Sequence, residues 1–318
     1  MTLHIVFLDQ DTIPSHITIN APRFAHTWQS YPETVPEEVI SRAKDSTILI
    51  TNKVVLDADT LEQLPKLKLI AVSATGTNNI DLAACRRLDI AVCNVRGYAN
   101  RAVPEHVIGL IYALRRNFLD YHRDILDGEW QRQNRFCFFS HPIGDVAGST
   151  LGIIGKGELG QAVATLAQAI GMKVLFAEHK GAPICREGYL PFEHVLQQAD
   201  VLTLHCPLMP DTHHLIGKAE LELLPNHAIV INTGRGGLVD ENALVEALKA
   251  GDIGGAGIDV FTSEPLQDNN PLLVNAHLPH LILTPHVAWG SASAIQALMD
   301  QVVENIELFV AGQPRHLV

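Results

Sequence analysis

The sequence predicts an α/β protein built from two doubly wound parallel sheets, and three observations support that prediction. Short runs of β-branched residues alternate with helical patterns along the chain. The 318 residues amount to about two domains of roughly 150 residues each. A Gly-x-Gly-x-x-Gly segment at residues 155–160 lies between a predicted strand and a predicted helix, where a second sheet would begin.

The first third of the chain contains the elements of the first sheet. Four strands are predicted from apolar, β-branched runs at residues 4–8, 47–51, 67–72 and 89–94. A helix is expected over residues 103–115, because Val107, Leu110, Ile111 and Leu114 recur at helical spacing. The strands predict a first domain that ends near residue 99, before this helix.

The middle of the chain contains six further strand patterns, and six strands complete a Rossmann sheet that binds a dinucleotide. They are predicted at residues 150–154, 173–177, 201–205, 228–232, 255–259 and 281–284. Crossover helices fit between them, for example one over residues 241–250 with Asp240 as its N-cap. Residues 100–285 are therefore expected to form a dinucleotide-binding domain.

The tail at residues 293–311 predicts an amphipathic helix, followed by Gly312 as a C-terminal cap. This helix comes after the sixth strand and has no place in that sheet. We therefore expect it to return to the first domain. That domain would be discontinuous, with residues 1–99 and 286–318 forming a flavodoxin-like unit for the substrate.

The composition argues against several classes of function. The net charge of −12 without a basic run argues against binding to nucleic acid or to an anionic membrane. No apolar run approaches the roughly 20 residues that span a bilayer, and the start lacks a signal-peptide pattern. The five cysteines form no Cys-x-x-Cys pair, so we expect no disulfide framework, no bound metal and a cytoplasmic location.

The glycine segment predicts a cofactor site. Gly155 permits the tight turn, Gly157 lets the backbone approach a pyrophosphate, and Gly160 allows close packing of helix on strand. Glu178 ends the next predicted strand, where a carboxylate accepts both ribose hydroxyls and repels a 2′-phosphate. This pattern predicts NAD rather than NADP, with Lys180 weakening the preference without reversing it.

Three chemically apt side chains follow later strands of the same sheet. Arg235, Glu264 and His286 come after the predicted strands at residues 228–232, 255–259 and 281–284. Arg235 can bind a carboxylate and polarise a carbonyl, and His286 can give a proton to the developing alkoxide. Glu264 can orient the imidazole and favour its protonated form, and Asp259 could accept from the nicotinamide carboxamide. This set predicts hydride transfer between NAD and a small 2-hydroxy or 2-oxo acid.

Ordered motifs over nearly the whole chain resemble the D-isomer-specific 2-hydroxyacid dehydrogenase family. They are Ala-Thr-Gly-Thr-Asn-Asn-Ile-Asp at 74–81, Val-Pro-Glu-His at 103–106, the glycine segment, His-Cys-Pro-Leu at 205–208, the Arg235 motif, Asp-Val-Phe-x-x-Glu-Pro at 259–265 and Pro-His-Val-Ala-Trp at 285–289. The resemblance implies Arg235, Glu264 and His286 as catalytic residues and a homodimer joined through the cofactor domains.

The resemblance also implies the binding residues. The substrate would contact Ala74, Thr75, Gly76, Arg235, His286 and Trp289, with the backbone of 74–76 holding the carboxylate beside Arg235. The cofactor NAD would contact Val103, Gly155, Gly157, Glu158, Leu159, Gly160, Glu178, His205, Cys206, Pro207, Thr212, Thr233, Gly234 and Asp259. Cys206 is expected to act as a small apolar wall rather than as a reactive thiol.

Several functions stay open at this point. Within the family, Trp289 and the stretch from Trp130 to Phe139 are most similar to glycerate dehydrogenases, which reduce hydroxypyruvate. Glyoxylate, lactate or phosphoglycerate enzymes are alternatives, and Glu264 disfavours formate dehydrogenase. A co-repressor that senses NADH would be a different class, which the absence of a disordered tail disfavours. A zinc-dependent alcohol dehydrogenase would need a cluster of Cys and His ligands that the sequence does not show.

Overall fold

The computed structural model describes residues 2–318, and the chain divides into two compact units. One unit comprises Met1–Ala99 with Gly290–Val318, and the other comprises Asn100–Trp289. The expected boundary before residue 286 is four residues too early. Residues 286–289 stay with the second unit because the amides of Val287 and Ala288 donate to the carboxylate of Asp259.

Within residues 2–318 the structure contains eleven strands and twelve α-helices. The strands are β1 (Leu3–Phe7), β2 (His26–Ser30), β3 (Ile48–Thr51), β4 (Leu69–Val72), β5 (Ala91–Cys93), β6 (Thr150–Ile154), β7 (Lys173–Ala177), β8 (Val201–Leu204), β9 (Ile229–Asn232), β10 (Gly255–Ile258) and β11 (Leu281–Leu283). The helices are α1 (Val39–Ala43), α2 (Ala58–Glu62), α3 (Leu82–Arg87), α4 (Ala102–Arg115), α5 (Phe118–Leu126), α6 (Glu129–Gln133), α7 (Glu158–Ala169), α8 (Phe192–Gln198), α9 (Lys218–Leu221), α10 (Glu241–Ala250), α11 (Pro271–Val274) and α12 (Ala292–Val310). Among these helices, none combines the length and the apolar character that crossing a bilayer requires.

The first unit is built on a five-stranded parallel sheet with the order β2-β1-β3-β4-β5. This is the order of a flavodoxin-like sheet, as predicted. Strand β2 was not predicted, because its residues alternate between partly buried and exposed at the edge of the sheet. The central strands β3 and β4 are buried along their whole length, so their continuous apolar runs were easy to recognise.

The C-terminal helix α12 packs on β4 of the first unit. Ser291 caps its N-terminus by accepting from the amide of Ala294 at 3.2 Å. The face of the helix that meets the sheet is fully buried at Leu298, Met299, Val302 and Ile306. The buried Asn305 amide donates to the carbonyl of Asn94 at 2.9 Å, just after β5. An apolar stripe and one polar anchor thus attach the chain terminus to the first sheet.

The second unit is built on a six-stranded parallel sheet with the order β11-β10-β9-β8-β6-β7. The order reverses between β6 and β8, since the chain passes from β6 out to β7 and then returns to β8 on the other side. Helices α4 and α7 pack against each other within this unit. In open sheets of this kind, ligands bind beyond the carboxyl ends of the strands at the point of reversal.

The packing of α12 generates a stability prediction from two valines on one helix. Val302 is fully buried, whereas Val310 is 39% exposed. Val302→Ala should lower the free energy of unfolding by roughly 2 kcal/mol, because it removes two buried methyl groups and leaves a cavity. Val310→Ala is the control and should cost less than about 0.5 kcal/mol. Equal losses in urea titrations of the two variants would show that α12 does not pack as described.

Candidate active site

The glycine segment forms the turn between β6 and α7. Gly155 has a φ of +99°, and a Cβ there would lie 2.6 Å from the carbonyl carbon and oxygen of His205. A Cβ on Gly160 would lie 2.0 Å from the carbonyl oxygen of Gly155, so only glycine permits this helix–strand approach. By contrast, a Cβ on Gly157, the N-cap of α7, would meet nothing within 4 Å. The turn is closed on the protein side and open on the side where a pyrophosphate would bind.

Two buried polar atoms lie at the ends of neighbouring strands. Among residues 2–318, Nδ1 of His205, just after β8, and Oγ1 of Thr233, just after β9, have no hydrogen-bond partner. Nε2 of His205 lies 3.0 Å from Oγ1 of Thr203, and burial lowers the pKa of His205 to about 4. The imidazole is therefore neutral at physiological pH. Buried polar groups are normally hydrogen-bonded, so these atoms fit a polar ligand such as a dinucleotide.

Glu178 follows β7 as predicted, but its carboxylate is already occupied. Oε1 accepts from the amide of His179 at 2.8 Å and from Nη2 of Arg186 at 2.6 Å. Oε2 accepts from the amide of Arg186 at 2.9 Å and from its Nε at 2.8 Å. The hydrogen bonds from the Arg186 side chain, from its backbone and from the His179 amide lower the pKa of Glu178 to about 2, and the positive charge of Arg186 adds to this effect.

In this structure the carboxylate binds His179 and Arg186, and its contact with the ribose hydroxyls stays a prediction. The contact of Arg186 with Glu178 was not predicted, because Arg186 lies eight residues further on in an irregular loop without periodicity. Lys180, which was expected to weaken the preference for NAD, forms an ion pair with Glu220 at 2.7 Å.

The other predicted cofactor residues lie in the second unit. Val103 is buried in the first turn of α4, while Glu158 and Leu159 open α7. After β8, Cys206 and Pro207 lead into a turn in which Oγ1 of Thr212 donates to the carbonyl of Pro207 at 2.8 Å. Burial raises the pKa of Cys206 to about 11, which agrees with a small apolar side chain rather than a reactive thiol.

Arg235 lies in the loop after β9, and the side chain of Asn232 shapes that loop. Nδ2 of Asn232 donates to the carbonyl of Arg235 at 2.9 Å, and its Oδ1 accepts from the amide of Gly234 at 3.0 Å. A Cβ on Gly236 would lie 1.9 Å from the carbonyl oxygen of Phe261, so this position requires glycine. The Arg235 loop therefore packs directly against the backbone that leads from β10 to Glu264.

Glu264 and His286 form the pair that the sequence predicted. Nδ1 of His286 lies 2.7 Å from Oε2 of Glu264, and the other oxygen, Oε1, accepts from the amide of Phe261 at 3.0 Å. The two side chains are 25% and 30% exposed, so the pair is neither buried nor fully solvated. With Nδ1 held by the carboxylate, Nε2 is the imidazole nitrogen available for proton transfer.

Asp259 holds the turn that carries His286. Its carboxylate is 1% exposed and accepts from Oγ1 of Thr284 at 2.5 Å and from the amides of Val287 and Ala288 at 2.9 and 3.0 Å. Its carbonyl also accepts from the amide of His286 at 2.8 Å. The carboxylate thus binds the Thr284 side chain before His286 and two backbone amides after it, and His286 itself has a φ of +53°. Contact of Asp259 with the nicotinamide stays a prediction.

The remaining predicted substrate residues are placed in both units. Ala74, Thr75 and Gly76 follow β4 in the first unit, where Oγ1 of Thr75 donates to the carbonyl of Val95 at 3.0 Å. The carbonyl of Thr75 accepts from Nδ2 of Asn94 at 2.7 Å, which fixes this backbone. Trp289, in the second unit, donates from Nε1 to the carbonyl of His286 at 2.9 Å. This contact gives Trp289 a structural role next to the histidine.

A second group of ligand-type side chains lies near the start of β11, at the opposite end of that strand from His286. Asp120, His141 and His280 bring one potential metal-ligand atom each to within 4.8 Å of the others. The two imidazoles already have carboxylate partners, since His280 Nδ1 lies 2.9 Å from Asp120 and His141 Nε2 lies 2.9 Å from Asp124. These contacts link α5, the following loop and the residue before β11.

Comparison with known proteins places this geometry in a family. Residues 108–288 match the family described as "D-isomer specific 2-hydroxyacid dehydrogenase, NAD binding domain". The matched segment runs from α4 past the His286 turn. It therefore includes the glycine segment and the positions of Arg235, Glu264 and His286.

Individual relatives match over nearly all of the chain. The glycerate dehydrogenase of Methylorubrum extorquens is 50% identical over 319 residues, which cover 100% of this chain and 99% of that protein. The hydroxypyruvate reductase of Blautia hydrogenotrophica is 35% identical over 285 residues, covering 89% and 88% of the two chains. Among solved structures, an acyclic imino acid reductase in complex with NADPH and D-Arg superposes with a TM-score of 0.83 at 27% identity, covering 99% and 100%.

The raised pKa of Cys206 generates a labelling prediction. At pH 8 a thiol with a pKa of about 11 is almost entirely protonated, and the thiolate is the form that reacts. Cys206 should therefore react with iodoacetamide much more slowly than the exposed Cys137. Mass spectrometry of the labelled peptides measures both rates in one sample. Similar rates for the two cysteines would mean that Cys206 is an activated thiol.

Proposed function

The chain belongs to the D-isomer-specific 2-hydroxyacid dehydrogenase family of NAD-dependent oxidoreductases, and from that membership we propose that it is a glycerate dehydrogenase. It would reduce hydroxypyruvate to D-glycerate with NADH. The relatives named for glycerate and for hydroxypyruvate support this substrate. The observation that carries the proposed chemistry is the 2.7 Å contact between His286 and Glu264 at the sheet edge that carries the glycine segment.

Bound NADH would supply the hydride that adds to C2 of the 2-oxo acid. Arg235 would bind the substrate carboxylate with its planar, permanently charged guanidinium and polarise the carbonyl. Nε2 of His286 would donate a proton to the carbonyl oxygen as negative charge develops there. Glu264 would orient the ring through its 2.7 Å contact with Nδ1. Ala74, Thr75, Gly76 and Trp289 remain proposed substrate residues.

The residues that would hold the cofactor are the glycine segment and the strand ends beside it. The backbone at Gly157 and the first turn of α7 would bind the pyrophosphate, where the helix presents free N–H groups. The unpartnered polar atoms of His205 and Thr233 would accept or donate to the dinucleotide. Asp259 would act on the nicotinamide side mainly by positioning His286.

The substrate assignment is tested by a panel of 2-oxo acids. Initial rates of NADH oxidation with hydroxypyruvate, glyoxylate, pyruvate and 3-phosphohydroxypyruvate give kcat/KM for each. We expect the largest value with hydroxypyruvate. A larger value with glyoxylate, pyruvate or phosphohydroxypyruvate would reassign the substrate within the family. No turnover with any of them, despite NADH binding, would favour a protein that senses NADH.

We further propose that the protein is a homodimer located in the cytoplasm. Large apolar side chains are exposed on one segment of the second unit, at Phe118, Leu126, Trp130, Phe136 and Phe139. Exposed apolar patches of this kind mark interfaces between proteins. The five unpaired cysteines are compatible with a reducing compartment.

The dimer proposal predicts a change of mass in sedimentation. Wild type should sediment at twice the mass of the 34.7 kDa chain. Phe136→Asp with Phe139→Asp should yield monomers, because charge replaces apolar contact area. Ile184→Asp is the control, as Ile184 is 81% exposed but lies outside this segment. A monomeric wild type, or a double variant that stays dimeric, would contradict the proposed interface.

The proposed role of Arg235 predicts a loss of catalytic efficiency even when the positive charge is kept. Arg235→Lys keeps the positive charge but loses the two-pronged contact with a carboxylate. We expect kcat/KM for hydroxypyruvate to fall about 10- to 100-fold, with the Kd of NADH almost unchanged. Arg86→Lys, on an exposed face of α3, is the control and should retain full activity. Near-normal activity of Arg235→Lys would remove this residue from the site.

The pairing of His286 with Glu264 predicts that the rate of reduction depends on both side chains. Glu264→Gln replaces the carboxylate that contacts Nδ1 with a neutral amide, so kcat for hydroxypyruvate should fall because the ring is held less firmly. His286→Ala removes the proposed proton donor and should lower the rate roughly 10²- to 10⁴-fold. Initial rates of NADH oxidation measure both effects, and a wild-type kcat in Glu264→Gln would disprove the pairing.

A further inference from the structure

The environment of Glu178 differs from that of a carboxylate that selects NAD. Such a selecting carboxylate accepts the ribose hydroxyls and repels the 2′-phosphate of NADP. Here Glu178 is 3% exposed, and each of its oxygens already accepts two hydrogen bonds. Its negative charge is matched at 2.6 Å by the guanidinium of Arg186. Arg186 therefore weakens both ways in which Glu178 would select NAD over NADP: binding of the ribose hydroxyls and repulsion of the 2′-phosphate.

The geometry of Arg186 shows that its position is well defined. Nε and Nη2 face the two carboxylate oxygens of Glu178 in the two-pronged arrangement that arginine favours. The backbone amide of Arg186 also donates to Glu178, so main chain and side chain hold the same partner. The guanidinium carbon lies 4.2 Å from the centre of the Tyr189 ring. Arg186 nevertheless remains 55% exposed and accessible to a ligand.

A second cation lies on the same aromatic ring. Nζ of Lys156 lies 4.9 Å from the centre of the Tyr189 ring and 3.4 Å from the carbonyl of Gly188. Lys156 stands between Gly155 and Gly157 of the glycine segment, so its backbone belongs to the proposed pyrophosphate turn. Lys156 and Arg186 thus place two cations on one aromatic ring near the end of β7, beside the carboxylate of Glu178.

We propose that Arg186 determines the cofactor specificity of this protein, and that it enables use of NADPH alongside NADH. Arg186 compensates the charge of Glu178, and its guanidinium binds the 2′-phosphate with support from Lys156. Glu178 holds the guanidinium in place and is a positioning residue in this account. This inference rests on the proposed NAD(H)-dependent function and extends it to the cofactor's ribose.

The test measures binding of the two cofactors in the absence of any 2-oxo acid. Fluorescence titration gives Kd for NADPH and for NADH with wild type, Arg186→Gln and Arg186→Lys. Wild type should bind the two cofactors with Kd values within about 10-fold of each other. Arg186→Gln should weaken NADPH binding about 10- to 100-fold, as expected for loss of charge-assisted hydrogen bonds, and change NADH binding less than about 3-fold. Arg186→Lys should be intermediate, because it keeps the charge without the fork.

Two controls separate specificity from folding. The ratio of the two Kd values within one variant is insensitive to a loss of folded protein, and Arg186→Lys retains the cation beside the buried Glu178. Arg86→Gln removes a positive charge from the other unit and should leave the ratio unchanged. Raising the salt concentration should weaken binding of NADPH more steeply than binding of NADH.

The outcomes are distinguishable from those of the substrate test. The proposal is supported if the ratio of Kd for NADPH to Kd for NADH rises when Arg186 is replaced and stays unchanged in the control variant. A ratio that is the same in wild type and Arg186→Gln, or a wild type that binds NADPH more than about 1000-fold more weakly than NADH, overturns it. Either result stands whichever 2-oxo acid the enzyme reduces. Failure to reduce hydroxypyruvate would contradict the proposed function alone.

Discussion

The buried carboxylate of Asp259 is the group on which the geometry of the candidate site depends. A carboxylate that is 1% exposed is costly unless its oxygens are hydrogen-bonded, and the donors here come from Thr284, Val287 and Ala288. These residues precede and follow His286, which also donates its amide to the carbonyl of Asp259. The turn can therefore adopt few other shapes without leaving a buried charge unsatisfied.

The fold brings the other parts of the site to the same edge of the sheet. All six strands of the second unit are parallel, so the glycine segment, the Arg235 loop, Glu264 and His286 all follow carboxyl ends. Gly236 allows the Arg235 loop to contact Phe261, and the amide of Phe261 donates to Glu264. Contacts of the backbone thus connect the three proposed catalytic residues. The chemistry proposed for them needs this rigidity, since proton transfer and carboxylate binding must occur at one carbonyl.

Patterns that repeat along the chain were predictable from the sequence, whereas contacts between irregular segments were not. The buried strands β3, β4 and β6, the glycine segment and the pair of Glu264 with His286 all follow from periodicity or from the rule for parallel strand ends. The edge strand β2 was missed because only part of it is buried. Arg186 was missed because a loop decides where its side chain lies. The hydrogen bonds of Asp259 to the turn around His286 were also not predicted, because a sequence does not show which amides surround a carboxylate.

The measurement that tests the central claim most directly is oxidation of the two enantiomers of glycerate. Formation of NADH from NAD⁺ is followed at alkaline pH with D-glycerate and with L-glycerate under identical conditions. The account predicts turnover with D-glycerate and none above background with L-glycerate, because the proposed binding of the carboxylate to Arg235 would present only one face of C2 to the hydride. Equal rates with both enantiomers, or a preference for L-glycerate, would contradict it.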